Sequence, residues 1–134
     1  MYIDYSKHQY SIKEIIFNSD DVDDDFYRGI IFILTNDTKI KIDAIGDCCS
    51  SSIIEKYENY NFQNLVGKII SGIKEIELPD DYEYSEETSY GEHISPHLYE
   101  IRFKDNEEIF KFLLINYSNG YYDGWLETEI ILKQ

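Results

Sequence analysis

Asp47-Cys48-Cys49-Ser50-Ser51-Ser52, running on into Ile53-Ile54-Glu55-Lys56-Tyr57-Glu58, decides the fold class. Locally it predicts a short helix. A serine at 50, 51 or 52 satisfies the free N–H groups of a first turn, and Glu55 follows Ser52 at the spacing of a capping box. The neighbouring segments read as strands, so a helix here makes the chain α+β. The expected form is a mainly antiparallel β-sheet or small barrel with one or two short helices.

Upstream, Gly29-Ile30-Ile31-Phe32-Ile33-Leu34 is nearly continuous apolar and suits a central strand. Thr35-Asn36-Asp37-Thr38 has turn composition. Lys39-Ile40-Lys41-Ile42-Asp43-Ala44 alternates strictly, as a half-buried strand does, and the pair makes a hairpin. Residues 1–10 are a polar lead-in and edge strand, and Ile12 to Phe17 is a strand with one buried face. Downstream, Gly72 to Leu78 and Leu98 to Phe103 read as strands. Glu108 to Ile115 is a strongly apolar strand and Trp125 to Leu132 a closing one.

A second polar stretch, Asn116-Tyr117-Ser118-Asn119-Gly120-Tyr121-Tyr122-Asp123-Gly124, precedes the closing strand. Asn119-Gly120 is a strong hairpin signal, with Tyr121 and Tyr122 then paired across the sheet. The two polar stretches stand in corresponding places of an internal repeat. Ile12-Lys13-Glu14-Ile15 recurs as Ile73-Lys74-Glu75-Ile76, each followed by an acidic loop and a hairpin. Within one domain of residues 1–134, the repeat units are 12–52 and 73–124. The alignment sets Asp47 on Asn116, Cys49 on Ser118 and Ser50 on Asn119. A pseudo-twofold axis would bring both stretches to one site. The candidate binding residues are therefore Asp47, Cys48, Cys49, Ser50, Ser52, Asn116, Ser118, Asn119, Tyr121 and Tyr122. They offer mostly neutral donors and acceptors beside aromatic faces, which suits recognition more than catalysis.

With 134 residues and 43% hydrophobic content, the chain can bury a core without staples. Acidic residues number 27 against 12 basic, a formal charge of -15. That charge opposes direct binding to nucleic acid or to an anionic membrane, and favours a partner with a basic surface. It concentrates in two loops: Asp20, Asp21, Asp23, Asp24 and Asp25, then Asp80, Asp81, Glu83, Glu86 and Glu87. Asp21, Asp23 and Asp25 begin a calcium-loop spacing. Phe26 takes the place of its glycine and Phe32 that of its terminal glutamate, so a solvated turn is the better reading.

No apolar leader follows Met1 and no apolar run reaches membrane-span length, so an intracellular, cytoplasmic protein with free thiols is expected. Adjacent Cys48 and Cys49 lack zinc-motif spacing. His93 and His97 read as surface histidines of a loop, and no metal or cofactor is expected. A cysteine nucleophile with His93 or His97 as base stays open as a third alternative, without the motifs of nucleotide-binding or serine-hydrolase folds.

Gly46 to Ser52, then Leu65-Val66-Gly67-Lys68, then Asn116 to Glu127 resemble an uncharacterised small domain of phages, bacteria and large DNA viruses. That family typically reads G-D-C-C-S-x-S-W-I-E, then L-I-G-K, then R-N-S-S-N-G-Y-Y-G-G. Here Ile53 replaces the tryptophan, Ile115 the arginine, Tyr117 a serine and Asp123 a glycine. Without that arginine the likeness offers no anion clamp. The resemblance implies a viral or phage accessory protein. Together with the charge, it leads to the expectation that the chain binds and inhibits a host defence protein through an acidic, Tyr-rich surface. The alternative is a binder of a small nucleotide ligand, and a dimer is compatible with either.

Overall fold

The computed structural model describes residues 2–5, 7–19, 26–46, 50–57, 62–84, 86–88, 91–104, 109–118 and 124–132. Among these residues ten strands are seen: β1 (Tyr2–Asp4), β2 (Ile12–Asn18), β3 (Phe26–Tyr27), β4 (Gly29–Leu34), β5 (Lys39–Gly46), β6 (Ser51–Lys56), β7 (Ile70–Ile76), β8 (His93–Phe103), β9 (Ile109–Ser118) and β10 (Gly124–Ile131). A single 3-10 turn, Phe62–Leu65, is the one helical element among the described residues. The α+β expectation is thus corrected to a nearly all-β fold of two antiparallel sheets.

The correction turns on β6. The Ser-rich segment does not cap a helix; it pairs along its length with β9, Ser51 opposite Tyr117 through Lys56 opposite Phe112. Two β-branched isoleucines in succession suit a strand, where Ile54 enters the core and Ile53 the opposite face. The Ser52 hydroxyl accepts a hydrogen bond from the Asn116 side chain. A capping signal is local, and the long ladder to β9 overrides it.

One sheet has the order β1-β7-β8-β9-β6-β3 and the other β10-β5-β4-β2. Their connection is reciprocal. The meander β2-β4-β5 lies in the four-stranded sheet, and the chain then leaves so that β6 joins the other. The meander β7-β8-β9 lies in the six-stranded sheet, and β10 then returns to pair with β5. β9 and β10 thus belong to different sheets; Asn119 and Gly120, where a hairpin turn is expected, lie outside the described residues. β2 and β7 each open with a register shift. Between β4 and β5 the turn closes through Thr38 N–H to Asn36 Oδ1 at 3.1 Å, with Asp37 at φ 66°. Aspartate tolerates that left-handed conformation.

The core lies between the sheets. Ile30, Phe32, Leu34, Ile40 and Ile42 come from one; Ile54, Tyr99, Ile101, Phe110, Phe112 and Leu114 come from the other. Tyr99 and Phe112 stack at 5.4 Å with rings 11° apart. The six-stranded sheet has a second apolar layer on its outer face. Leu98, Leu113 and Ile115 are buried there beneath Leu78 and Tyr82 of the segment joining β7 to β8.

Candidate functional site

The exchange of β6 and β10 between the sheets sets the described ends of the two polar stretches beside one another. Ser52 faces Asn116 across the β6–β9 ladder, and Gly124 faces Gly46 where β10 enters the other sheet. Asn116 Nδ2 donates to Ser52 Oγ at 3.0 Å and to the Ser51 carbonyl at 3.3 Å. Asn116, Ser52 and Ser118 are all buried. A side-chain carbon on Gly124 would collide with Ser52 Oγ and stand 2.6 Å from Asn116 Nδ2 and 2.9 Å from the Ile45 carbonyl. Only glycine lets the crossing strand come this close.

This junction is a buried polar knot that holds the crossing of two sheets. Three of the candidate binding residues, Ser52, Asn116 and Ser118, therefore present no surface, and Ser50 is half-buried. Asn116 Oδ1 is buried without a hydrogen-bond partner among the described residues. Such an orphan acceptor costs about 1–3 kcal/mol. Asp47, Cys48, Cys49, Asn119, Tyr121 and Tyr122 lie outside the described residues, as do Asp20, Asp21, Asp23, Asp24 and Asp25.

Asp80, Asp81, Glu83, Glu86 and Glu87 are all exposed, on the segment that roofs the outer face of the six-stranded sheet. Aromatic contacts fix this roof: Tyr82 lies 5.8 Å from Tyr57 and 6.0 Å from Tyr84. Burial and then the Glu55 carboxylate push the Tyr82 phenol above the usual tyrosine range. Tyr117 is raised by burial and by Glu55 and Glu92. Glu55 and Glu92 thus stand close enough to these half-buried phenols to raise the cost of negative charge on them.

His93 and His97 are strand residues of β8, not loop residues. Alternation puts Ser95, His97 and Tyr99 on one side of β8. His97 Nε2 lies 3.2 Å from Ser95 Oγ, and its Nδ1 lies 3.4 Å from Glu75 Oε1. The Tyr99 hydroxyl donates to Glu75 as well, and burial followed by the Glu75 charge pushes that phenol well above the tyrosine range. Hydroxyl, imidazole and carboxylate therefore stand in the order of a proton relay. However, Ser95 does not line the adjoining cleft, whose walls are Glu75–Leu78 and Pro96–Leu98. A molecule held in that cleft meets Glu75 and His97 rather than a nucleophile. Sequence reasoning missed this network; its visible signal was the alternation Ser95-Pro96-His97-Leu98-Tyr99. Among the described residues no three His, Cys, Asp or Glu side chains gather as metal ligands, and no helix is long and apolar enough to cross a membrane.

A family model described as a domain of unknown function, DUF7448, matches residues 9–125, a span containing both the junction and the roof. The uncharacterized protein L278 of Acanthamoeba polyphaga mimivirus is 39% identical over 106 residues, covering 76% of this chain and 78% of that protein. No solved structure matches. By the extent of the first match and the length of the second, this chain belongs to the DUF7448 family.

Proposed function

We propose that this chain acts by binding a protein partner that carries a basic surface, and that it docks through the acidic, tyrosine-bearing roof of the six-stranded sheet. The observation that carries this reading is the roof itself. Five exposed carboxylates, Asp80, Asp81, Glu83, Glu86 and Glu87, lie on a segment anchored by Tyr82 over an apolar sheet face. Tyrosine rings add contact area at low entropy cost, and a single-sign field steers a complementary partner. The mimivirus relative supports a viral origin, in which the partner is a host protein and binding inhibits it. The small-ligand alternative loses support, because the neutral side chains it needs at positions 52, 116 and 118 are buried.

The test is competitive capture from a host lysate at low and high salt. The wild-type chain should retain a basic protein that a variant with Asp80→Asn, Asp81→Asn, Glu83→Gln, Glu86→Gln and Glu87→Gln does not. Capture of the same protein by both forms, unaffected by salt, removes the roof as the docking surface.

A further inference from the structure

The six-stranded sheet splits between β7 and β8, and Pro96 marks the split. The ladder pairs Ile70 with Phe103 and ends at Ile76 opposite Leu98. The next hydrogen-bonded pair in this register, Leu78 with Pro96, would need a backbone N–H that proline lacks. Two residues earlier on the same side of β8, the Ile94 N–H turns to the Glu86 carbonyl at 2.8 Å. The strands therefore diverge around a cleft of about 310 Å³. Ile76, Leu78, Pro96 and Leu98 give it apolar walls; Glu75, Glu77 and His97 give it a polar rim, and no lysine or arginine among the described residues lines it.

Glu75 is held in place on two sides. His97 Nδ1 lies 3.4 Å from its carboxylate, and the Tyr99 hydroxyl hydrogen-bonds it. Ser95 in turn touches the other nitrogen of His97 at 3.2 Å. A fixed carboxylate on one side of the gap and apolar residues on the other are complementary to a side chain with a long apolar stem and a planar cationic head. The volume is at the low end for ligand clefts, with room for one such side chain and its flanking backbone.

We propose that this fork receives an arginine side chain of the partner, presented on an extended segment, with the guanidinium on Glu75 and Glu77 and the stem passing between the strands against Ile76, Leu78 and Pro96. This rests on the protein-docking reading above and names the anchor residue of that partner. Fixing the carboxylate before binding lowers the ordering cost that a flexible glutamate would impose.

The probe is a short capped peptide alternating threonine and valine around one arginine, titrated into the full-length protein. Fluorescence anisotropy gives affinity, and amide NMR shifts give location. Shifts should concentrate at Glu75, Ile76, Glu77, Leu78, His97 and Leu98. Replacing the arginine by its neutral isostere citrulline should weaken binding on the order of tenfold, as should Glu75→Gln. Equal binding of the citrulline peptide, or shifts centred elsewhere, overturns the proposal without relying on any protein variant. The roof variant should keep peptide binding. If it loses host-protein capture while Glu75→Gln keeps full affinity for the peptide, the arginine site fails and the docking reading stands. Peptide binding at the fork with salt-insensitive capture by the roof variant retains the arginine site and overturns docking through the roof.

Discussion

The outer faces of the two sheets differ in what covers them. On the six-stranded sheet Leu98, Leu113 and Ile115 are buried beneath Leu78 and Tyr82. On the four-stranded sheet nothing among the described residues lies over the corresponding face. There, Ile16 and Ile131 are each 41% exposed and Trp125 46%. Ladder registers place them on one face with Ile31, Ile33 and Ile45, interleaved with Lys39, Lys41, Asp43, Glu127 and Glu129. Cover thus explains the two sequence textures. β9 carries apolar residues on both faces because both are buried, whereas β5 alternates because one face meets water. It also bears on the proposed docking: the covered face is the one that carries the roof and its acids.

The largest expected effect tests whether the roofed face is a true second core. Leu113→Ala, on the outer face, should cost about 2–5 kcal/mol, as a fully buried leucine does. A loss below ~1 kcal/mol in denaturant unfolding would show that the roof lifts easily and that the two faces are alike. Next comes the junction that ties the sheets together. Gly124→Ala drives a methyl into Ser52, Asn116 and the Ile45 carbonyl, and should cost about 1–3 kcal/mol. Because β10 leaves one sheet's neighbourhood to complete the other, hydrogen exchange should speed up in β5 and β6 together. Faster exchange confined to one sheet would break the picture of a shared crossing.

How much of this was readable in advance follows from the range of each signal. The strands β2 and β5 show in the sequence because period-two patterning is local, and β4 because its apolar run is continuous. The segment 51–56 misleads for the same reason: its serines and Glu55 form a good local cap, while the partner that makes it a strand, β9, is remote, Asn116 standing 64 residues beyond Ser52. Asn116 illustrates the same limit at the site. Its polarity suggests a surface, yet it is fully buried by a crossing that neither stretch specifies alone. The roof joins Tyr57, Tyr82 and Tyr117 from three separate segments, so no window of sequence contains it. Pro96 inside β8 was a visible sign of a broken ladder, but its consequence, the fork, needed the register with β7.

Alkali offers a third way to separate the faces. Tyr82 in the roof and Tyr117 beside it, and Tyr5 and Tyr99 in the core, all have phenol pKa values raised in the fold, chiefly by burial. The folded state therefore holds these protons more tightly than the unfolded chain, whose tyrosines ionise near pH ~10. Their contribution to stability is intact below that pH and is lost as pH rises above it. The tyrosinate absorbance should rise in two stages, with the late stage coinciding with unfolding. Tyr82→Phe should delay loosening of the roof, seen by hydrogen exchange at Leu113, without altering exchange in β5. A single-stage titration complete before unfolding would contradict the buried roof.

The smallest expected effect falls on the bare face and decides whether it is bare in solution. Trp125→Ala removes a large ring that stands almost half exposed. A side chain so open to water should cost no more than about 1 kcal/mol, despite its size. The contrast with Leu113 is the point: tryptophan is the larger group, so ranking by hydrophobicity alone predicts the reverse order, and only the difference in cover gives this one. If Trp125→Ala instead costs as much as Leu113→Ala, and the loss grows with protein concentration, the face is closed by a second copy. The asymmetry between the sheets would then belong to the isolated chain and vanish in the assembly.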